Sequence, residues 1–181
     1  MVVSLIHLKQ SVIGSEPDLS DIANQVDTIR ALHEKLQFAE DVSRVNVSPY
    51  ITDVVQSVIS SEVGSDVELD IAIGDVTLPT KTATTLFLIV SELATNAAKH
   101  GFLPESEKRF SVSMESEERS RACVLTVSNT GREFPQHIDL ENTTSLGLQI
   151  VGAMTAQLGG TLELKRAPSP VFTIRFPIPE S

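Results

Sequence analysis

The chain has 181 residues, of which 41% are hydrophobic and 21% charged, a balance typical of a globular protein rather than a disordered or fibrous one. Its 24 acidic side chains outnumber 14 basic ones, and the formal charge of -10 argues against a nucleic-acid or anionic-membrane surface. Cys123 is the only cysteine, which excludes an internal disulfide and fits a reducing cytoplasm.

The longest strongly apolar stretch surrounds Leu86-Phe87-Leu88-Ile89-Val90 and is far shorter than the roughly 20 residues of a membrane span. We therefore expect no membrane contact in this chain. The length fits one full domain with a smaller appendage.

The first forty residues have the pattern of two amphipathic helices joined by a short turn. Apolar residues recur at helical spacing from Val2 to Val12, Gly14 follows, and a second apolar stripe runs from Leu19 to Leu36. Such a hairpin cannot bury its stripe alone, so its apolar faces must meet the following domain or a second copy of the hairpin, and a homodimeric four-helix bundle is the economical solution.

A domain boundary is predicted near residues 40 to 45. It separates a helical hairpin at 1–41, a truncated dimerisation and phosphotransfer-like region, from a second domain at 45–181. The second domain has strand and helix patterns in an order that predicts an α+β fold, one sheet with helices on one face. In chain order the expected elements are a strand at 44–47, a helix from Ser48-Pro49, a strand at 67–73, a helix at 80–100, strands at 109–114 and 122–127, a helix at 146–158, and strands at 160–165 and 171–177.

The end of the long helix carries four polar side chains on one predicted face. Glu92, Asn96, Lys99 and His100 are spaced i, i+4, i+7 and i+8. A carboxylate, an amide, an ammonium and an imidazole are costly against a core but suit a metal-bound triphosphate. Spacing alone leaves open a face that is simply solvated.

This segment resembles the N box of the GHKL ATPases, the superfamily of histidine kinases, gyrase, Hsp90 and MutL, in its histidine-kinase form. The resemblance implies a Bergerat-type ATP-binding α/β sandwich that uses ATP and Mg2+. It implies that Asn96 coordinates the metal and that Lys99 and His100 contact phosphate oxygens. Glu92 would orient or deprotonate the accepting imidazole.

A second motif follows at Ser145-Leu146-Gly147-Leu148, which resembles the second glycine box of the same family. Gly147 would let the main chain approach the phosphates as a helix begins, where N–H groups and the helix dipole favour anions. Gln157-Leu158-Gly159-Gly160 follows at the family's distance.

The first forty residues are similar to the dimerisation region of HWE-like (HisKA-2-type) sensor kinases. The resemblance rests on residues 31–36 and 40–45, and on Val2 to Lys9, which would follow the phosphoacceptor motif. It implies a two-component protein-histidine kinase that passes a phosphoryl group to the receiver domain of a response regulator. The accepting histidine would stand about two turns before Met1, and His7 falls past it, so autophosphorylation of this chain is not expected.

Three positions depart from the family's nucleotide site. The adenine-binding motif, usually D-x-G-x-G, reads Asn129-Thr130-Gly131-Arg132-Glu133, so an amide replaces the aspartate that accepts from the adenine amino group. The neutral bond costs roughly 1 kcal/mol of affinity. Glu133 replaces the second glycine of the motif and adds bulk and negative charge. Pro170 aligns with a threonine that supports the site in many relatives, and proline offers no hydroxyl.

Two other functions remain open. The departures favour a degenerate kinase that binds nucleotide weakly and serves as a docking or adaptor module. A GHKL serine kinase of the anti-sigma-factor type is the third hypothesis, although those proteins generally lack the hairpin.

Overall fold

The computed structural model describes residues 44–117, 121–140 and 142–178. The predicted hairpin at 1–41, its dimer interface and the boundary near 40 to 45 lie outside the described residues or at their margin. The helices and strands of the described part are β1 (Arg44–Asn46), α1 (Val47–Glu62), β2 (Val67–Ile73), β3 (Thr77–Pro79), α2 (Thr80–Asn96), a π turn (Ala97–Gly101), β4 (Lys108–Glu117), β5 (Ala122–Asn129), α3 (Leu146–Gln157), β6 (Thr161–Lys165) and β7 (Val171–Pro177).

Helix α1 begins at a side-chain cap and buries one stripe. The carboxamide oxygen of Asn46 accepts from the main-chain N–H of Ser48 at 3.0 Å, which satisfies one of the free donors of the first turn. The buried residues of the helix recur at every fourth position: Val47, Ile51, Val55 and Ile59. This spacing aligns them on one face, which packs against α2.

Helix α2 is the central helix of the domain. Twelve of its residues are buried, namely Thr82, Ala83 and every residue from Thr85 to Ala94, because α1 and α3 both pack against the helix; Thr84 is half-buried. Its last predicted turn differs from expectation. The α-helix ends at Asn96, and a π turn continues to Gly101, whereas the sequence predicted a single helix to His100.

Five strands form the main sheet in the order β2-β4-β5-β7-β6. Strands β2 and β4 are parallel, and the other neighbours are antiparallel. Along β4, Phe110, Val112 and Met114 are fully buried, while Ser111 and Ser113 between them are half-buried. This alternation gives the sheet one face for the core.

The predicted α+β class is confirmed, and each strand and helix expected after residue 44 is present within a few residues. The prediction of a single sheet was incomplete, because β1 and β3 form a separate antiparallel pair. Strand β3 has only three residues, too few to give a periodic signal in the sequence. None of the helices in the described ranges is long and apolar enough to cross a membrane.

Cys123 lies in the core of the sheet. Its side chain is fully buried on β5, and burial raises the pKa of the thiol. The thiol is therefore protonated and sheltered, as expected for a structural rather than a nucleophilic cysteine.

Candidate functional site

A cavity of about 480 Å³ opens where the end of α2, the end of β5, the loop after β5 and the start of α3 meet β7. Its walls combine polar groups with apolar side chains, as small-molecule sites usually do. The lining residues are Leu93, Asn96, Ala97, Lys99, His100, Gly101, Phe102, Asn129, Arg132, Glu133, Phe134, Pro135, Ile138, Ser145, Leu148, Pro170 and Phe172.

Glu92 and Asn96 lie one turn apart on α2 and both approach the start of α3. A methyl group built on Gly147 would stand 2.7 Å from Oε2 of Glu92 and 3.6 Å from Oδ1 of Asn96. Glu92 is only 7% exposed. A side chain at position 147 would therefore displace the Glu92 carboxylate, whereas the Asn96 amide would remain in ordinary van der Waals contact with it.

The π turn carries Lys99 and His100, which are exposed and line the cavity together with Asn96. A π turn closes hydrogen bonds over five residues instead of four, so it changes the direction of the side chains that follow Asn96. The structure therefore brings three of the four polar residues of the predicted face to the cavity. Glu92 instead lies buried beside it, against Gly147.

Asn129 ends β5 at the cavity and is only 8% exposed. Its Nδ2 donates to the main-chain oxygen of Thr130 at 2.9 Å. Because that oxygen can only accept, the bond fixes the orientation of the amide and leaves Oδ1 to accept from another group. The amide also lies against Gly101, where an added methyl group would come within 2.5 Å of Nδ2.

Gly131 presses the loop after β5 against the π turn. Its φ is +114°, and a methyl group there would lie 2.3 Å from the carbonyl oxygen of Gly101. The same oxygen accepts from the N–H of Arg132 at 2.7 Å. Gly131 was predicted to bind the cofactor, but it is not among the residues that line the cavity, and its contacts are with the protein main chain.

The start of α3 borders the cavity through Ser145, its N-cap, and Leu148. Leu146 and Gly147 stand between them in the first turn, where main-chain N–H groups have no partner within the helix. These groups and the helix dipole make this edge suitable for a phosphate. The ligand roles assigned to all these residues stay predictions.

The three departures from the family pattern meet at this cavity, since Asn129, Glu133 and Pro170 all line it. Apolar residues of the wall were missed by the sequence reasoning. Phe134, Pro135 and Ile138 belong to a loop without periodicity, and no motif marked them.

Two family models match the chain. Residues 81–180 match the model described as histidine kinase-, DNA gyrase B-, and HSP90-like ATPase, and residues 1–62 match a model described as histidine kinase, HisKA_2. The first match covers more than half of the sequence and contains the whole cavity.

Among curated proteins, the sensor histidine kinase PdtaS of Mycobacterium tuberculosis is 31% identical over 152 residues, which is 82% of this chain and 30% of that protein. The blue-light-activated histidine kinase 2 of Erythrobacter litoralis is 25% identical over 173 residues, 92% of this chain and 49% of that protein. The chain thus spans less than half the length of these relatives.

Among solved structures, the histidine kinase domain of a blue-light activated histidine kinase from Erythrobacter litoralis has a TM-score of 0.80 at 23% identity, covering 98% of this chain and 84% of that one. The catalytic domain of histidine kinase ThkA in a nucleotide-free form has a TM-score of 0.62 at 18% identity, with 76% and 97% covered. At these identities the likeness concerns the fold.

Proposed function

The chain belongs to the sensor histidine kinases of the HisKA_2 type within the GHKL ATPases, and from this we propose that it is the ATP-binding catalytic core of a two-component kinase. In this proposal it binds ATP with Mg2+ and transfers the γ-phosphoryl group to a histidine, from which a response-regulator receiver domain takes it. The domain at 45–181 carries the catalysis, and the hairpin at 1–41 carries the dimer contact.

The observation that carries the proposal is the buried amide of Asn96 at the edge of a polar cavity. Its Nδ2 is buried, and within the described residues it has no hydrogen-bond partner. A buried donor without a partner costs about 1–3 kcal/mol, so such a group is retained where a ligand satisfies it. A phosphate oxygen is an acceptor that fits this position, because Lys99 and His100 line the same cavity.

The residues present also fit a divalent cation. The amide oxygen of Asn96 is a hard ligand of the type Mg2+ prefers, and Mg2+ usually combines one or two protein ligands with substrate phosphate oxygens and water. Bound there, the cation would neutralise charge that develops on the phosphates during transfer. Asn96 would hold it, and Lys99 and His100 would bind the remaining phosphate oxygens.

Glu92 would act on the accepting imidazole. In the proposed step the bond from the γ-phosphorus to the bridging oxygen of ADP breaks as a bond to the imidazole nitrogen forms, and Glu92 orients the ring or takes its proton. The carboxylate is buried one turn from Asn96 and is confined by Gly147. Such confinement supports catalysis by positioning, which dominates phosphoryl transfer.

The finer parts of the proposal rest on the sequence. A homodimer through the hairpin would cover its apolar stripe, and a cytoplasmic location agrees with the single cysteine. The receiver domain as partner follows from the family.

Titration calorimetry of the full chain with ADP and a non-hydrolysable ATP analogue, with and without Mg2+, tests the proposal. We expect Mg2+-dependent binding that Asn96→Ala abolishes. Thr95→Ala is the matched control, because Thr95 neighbours Asn96 on α2 and does not line the cavity. Absence of binding at millimolar nucleotide, or equal losses in both variants, would contradict it.

A docking or adaptor module with weak nucleotide binding is the second candidate, favoured by Asn129, Glu133 and Pro170 in one cavity. It predicts that a receiver domain binds the chain equally well in the presence and absence of nucleotide. A receiver domain whose phosphorylation requires ATP and this chain would exclude it.

A further inference from the structure

One side chain, Arg166, holds the loop after β5 against the turn between β6 and β7. Its Nη1 donates to the main-chain oxygen of Pro135 at 2.8 Å and its Nη2 to that of Ile138 at 2.8 Å. The N–H of Phe134 donates to the carbonyl of Arg166 at 3.0 Å, and the guanidinium lies 5.2 Å from the centroid of the Phe134 ring. Three hydrogen bonds and a cation–π contact thus join one residue to the segment 134–138.

This segment is a wall of the cavity. Phe134, Pro135 and Ile138 all line it, and the Phe134 ring meets Phe172 edge to face, with centroids 5.7 Å apart. Phe172 is paired with Val127 on β5, two residues before Asn129. The wall therefore stands at the end of the cavity where Asn129 lies.

We propose that Arg166 is a positioning residue for the nucleotide, which keeps Phe134 to Ile138 in place as a wall before the nucleotide arrives. The inference rests on the proposed function. It extends that function to a residue outside the cavity, since Arg166 acts only through the segment that it holds.

The physical reason is preorganisation. When a loop becomes ordered only on ligand binding, the conformational entropy that it loses makes the binding free energy less favourable. A loop that is already ordered has no such cost. The planar guanidinium can bond two carbonyl oxygens at once, and the cation–π contact adds to them. Lysine carries a single ammonium and can replace only part of this geometry.

The test uses the full chain with a fluorescent ADP analogue and Mg2+, measuring the dissociation constant and the dissociation rate. Arg166→Ala should weaken binding by about tenfold, mainly through faster dissociation, and Arg166→Lys should lie between it and the wild type. Arg175→Ala is the matched control. Arg175 also makes two bonds from its guanidinium, to Glu117, but lies outside the cavity lining. It should bind within twofold of the wild type.

A second readout does not need nucleotide. Hydrogen exchange in the peptide that contains residues 134–138 should accelerate in Arg166→Ala and stay unchanged in Arg175→Ala. Wild-type exchange in Arg166→Ala, or a wild-type dissociation constant and rate, would overturn the inference. If the wild-type chain binds no nucleotide, the proposed function fails, while the exchange experiment still decides whether Arg166 holds the wall.

Discussion

Replacement of Gly147 by alanine tests whether the start of α3 confines the proposed catalytic side chains. The added methyl group would lie 2.7 Å from Oε2 of Glu92, and ordinary contact begins at 3.4 Å, so the carboxylate must retreat by roughly 0.7 Å. The clashing atom is the end of a flexible side chain, so the cost in folding free energy should be below about 1 kcal/mol. Misplacement of about 1 Å can reduce the rate of a positioned reaction by about a hundredfold.

We therefore expect Gly147→Ala to keep its thermal stability within a few degrees while phosphoryl transfer to a histidine-containing acceptor falls by one to two orders of magnitude. Gly152→Ala is the matched control on the same helix, because a methyl group there meets nothing within 4 Å. It should gain about 0.5–1 kcal/mol from helix propensity with unchanged transfer. Transfer at the wild-type rate in Gly147→Ala would refute the reasoning, and parallel loss of activity in both variants would assign the effect to the helix itself.

Three further outcomes are expected. In a denaturant titration, Gly131→Ala should lose more free energy of unfolding than Gly64→Ala. Both glycines have a positive φ, where a side chain costs about 1–3 kcal/mol, but only a methyl group at position 131 would meet a carbonyl oxygen. Equal losses would contradict that contact. Asn129→Asp should destabilise the nucleotide-free protein by about 1 kcal/mol, because the hydrogen bond to Thr130 is lost. In calorimetry, the same variant should bind ADP about fivefold more tightly than the wild type. An unchanged affinity would mean that adenine lies elsewhere. Light scattering should find the full chain dimeric and a chain beginning at Ser43 monomeric, and a full chain that stays monomeric at high concentration would contradict the bundle.

Most of the fold could be predicted because its elements bury one regular face each. Exposed and half-buried residues alternate strictly along β2, and buried residues recur at every fourth position of α1. Both patterns can be recognised in the sequence. The π turn could not be predicted, because Ala97-Ala98-Lys99-His100 suits an α-helix equally well. Its last residue, Gly101, lies against Asn129 and Gly131, which are distant in the sequence.

The polar part of the candidate site could be predicted from the sequence for a different reason. Its four side chains are costly to bury against a core and share one predicted helix face, and the resemblance to the N box then assigned their roles: Glu92, Asn96, Lys99 and His100. Arg166 gave no such signal. Its guanidinium bonds to main-chain oxygens, which every residue has. The residue types at positions 135 and 138 therefore do not indicate the contact.

The two outer strands of the sheet have a consequence for behaviour at high concentration. A free strand edge offers unpaired main-chain groups to another molecule, and charged residues on such strands are a common protection against aggregation. Strand β2 carries exposed Glu68 and Asp70, and β6 carries exposed Glu163 and Lys165. Both margins of the sheet therefore carry charges that discourage edge-to-edge joining of sheets when the protein is concentrated.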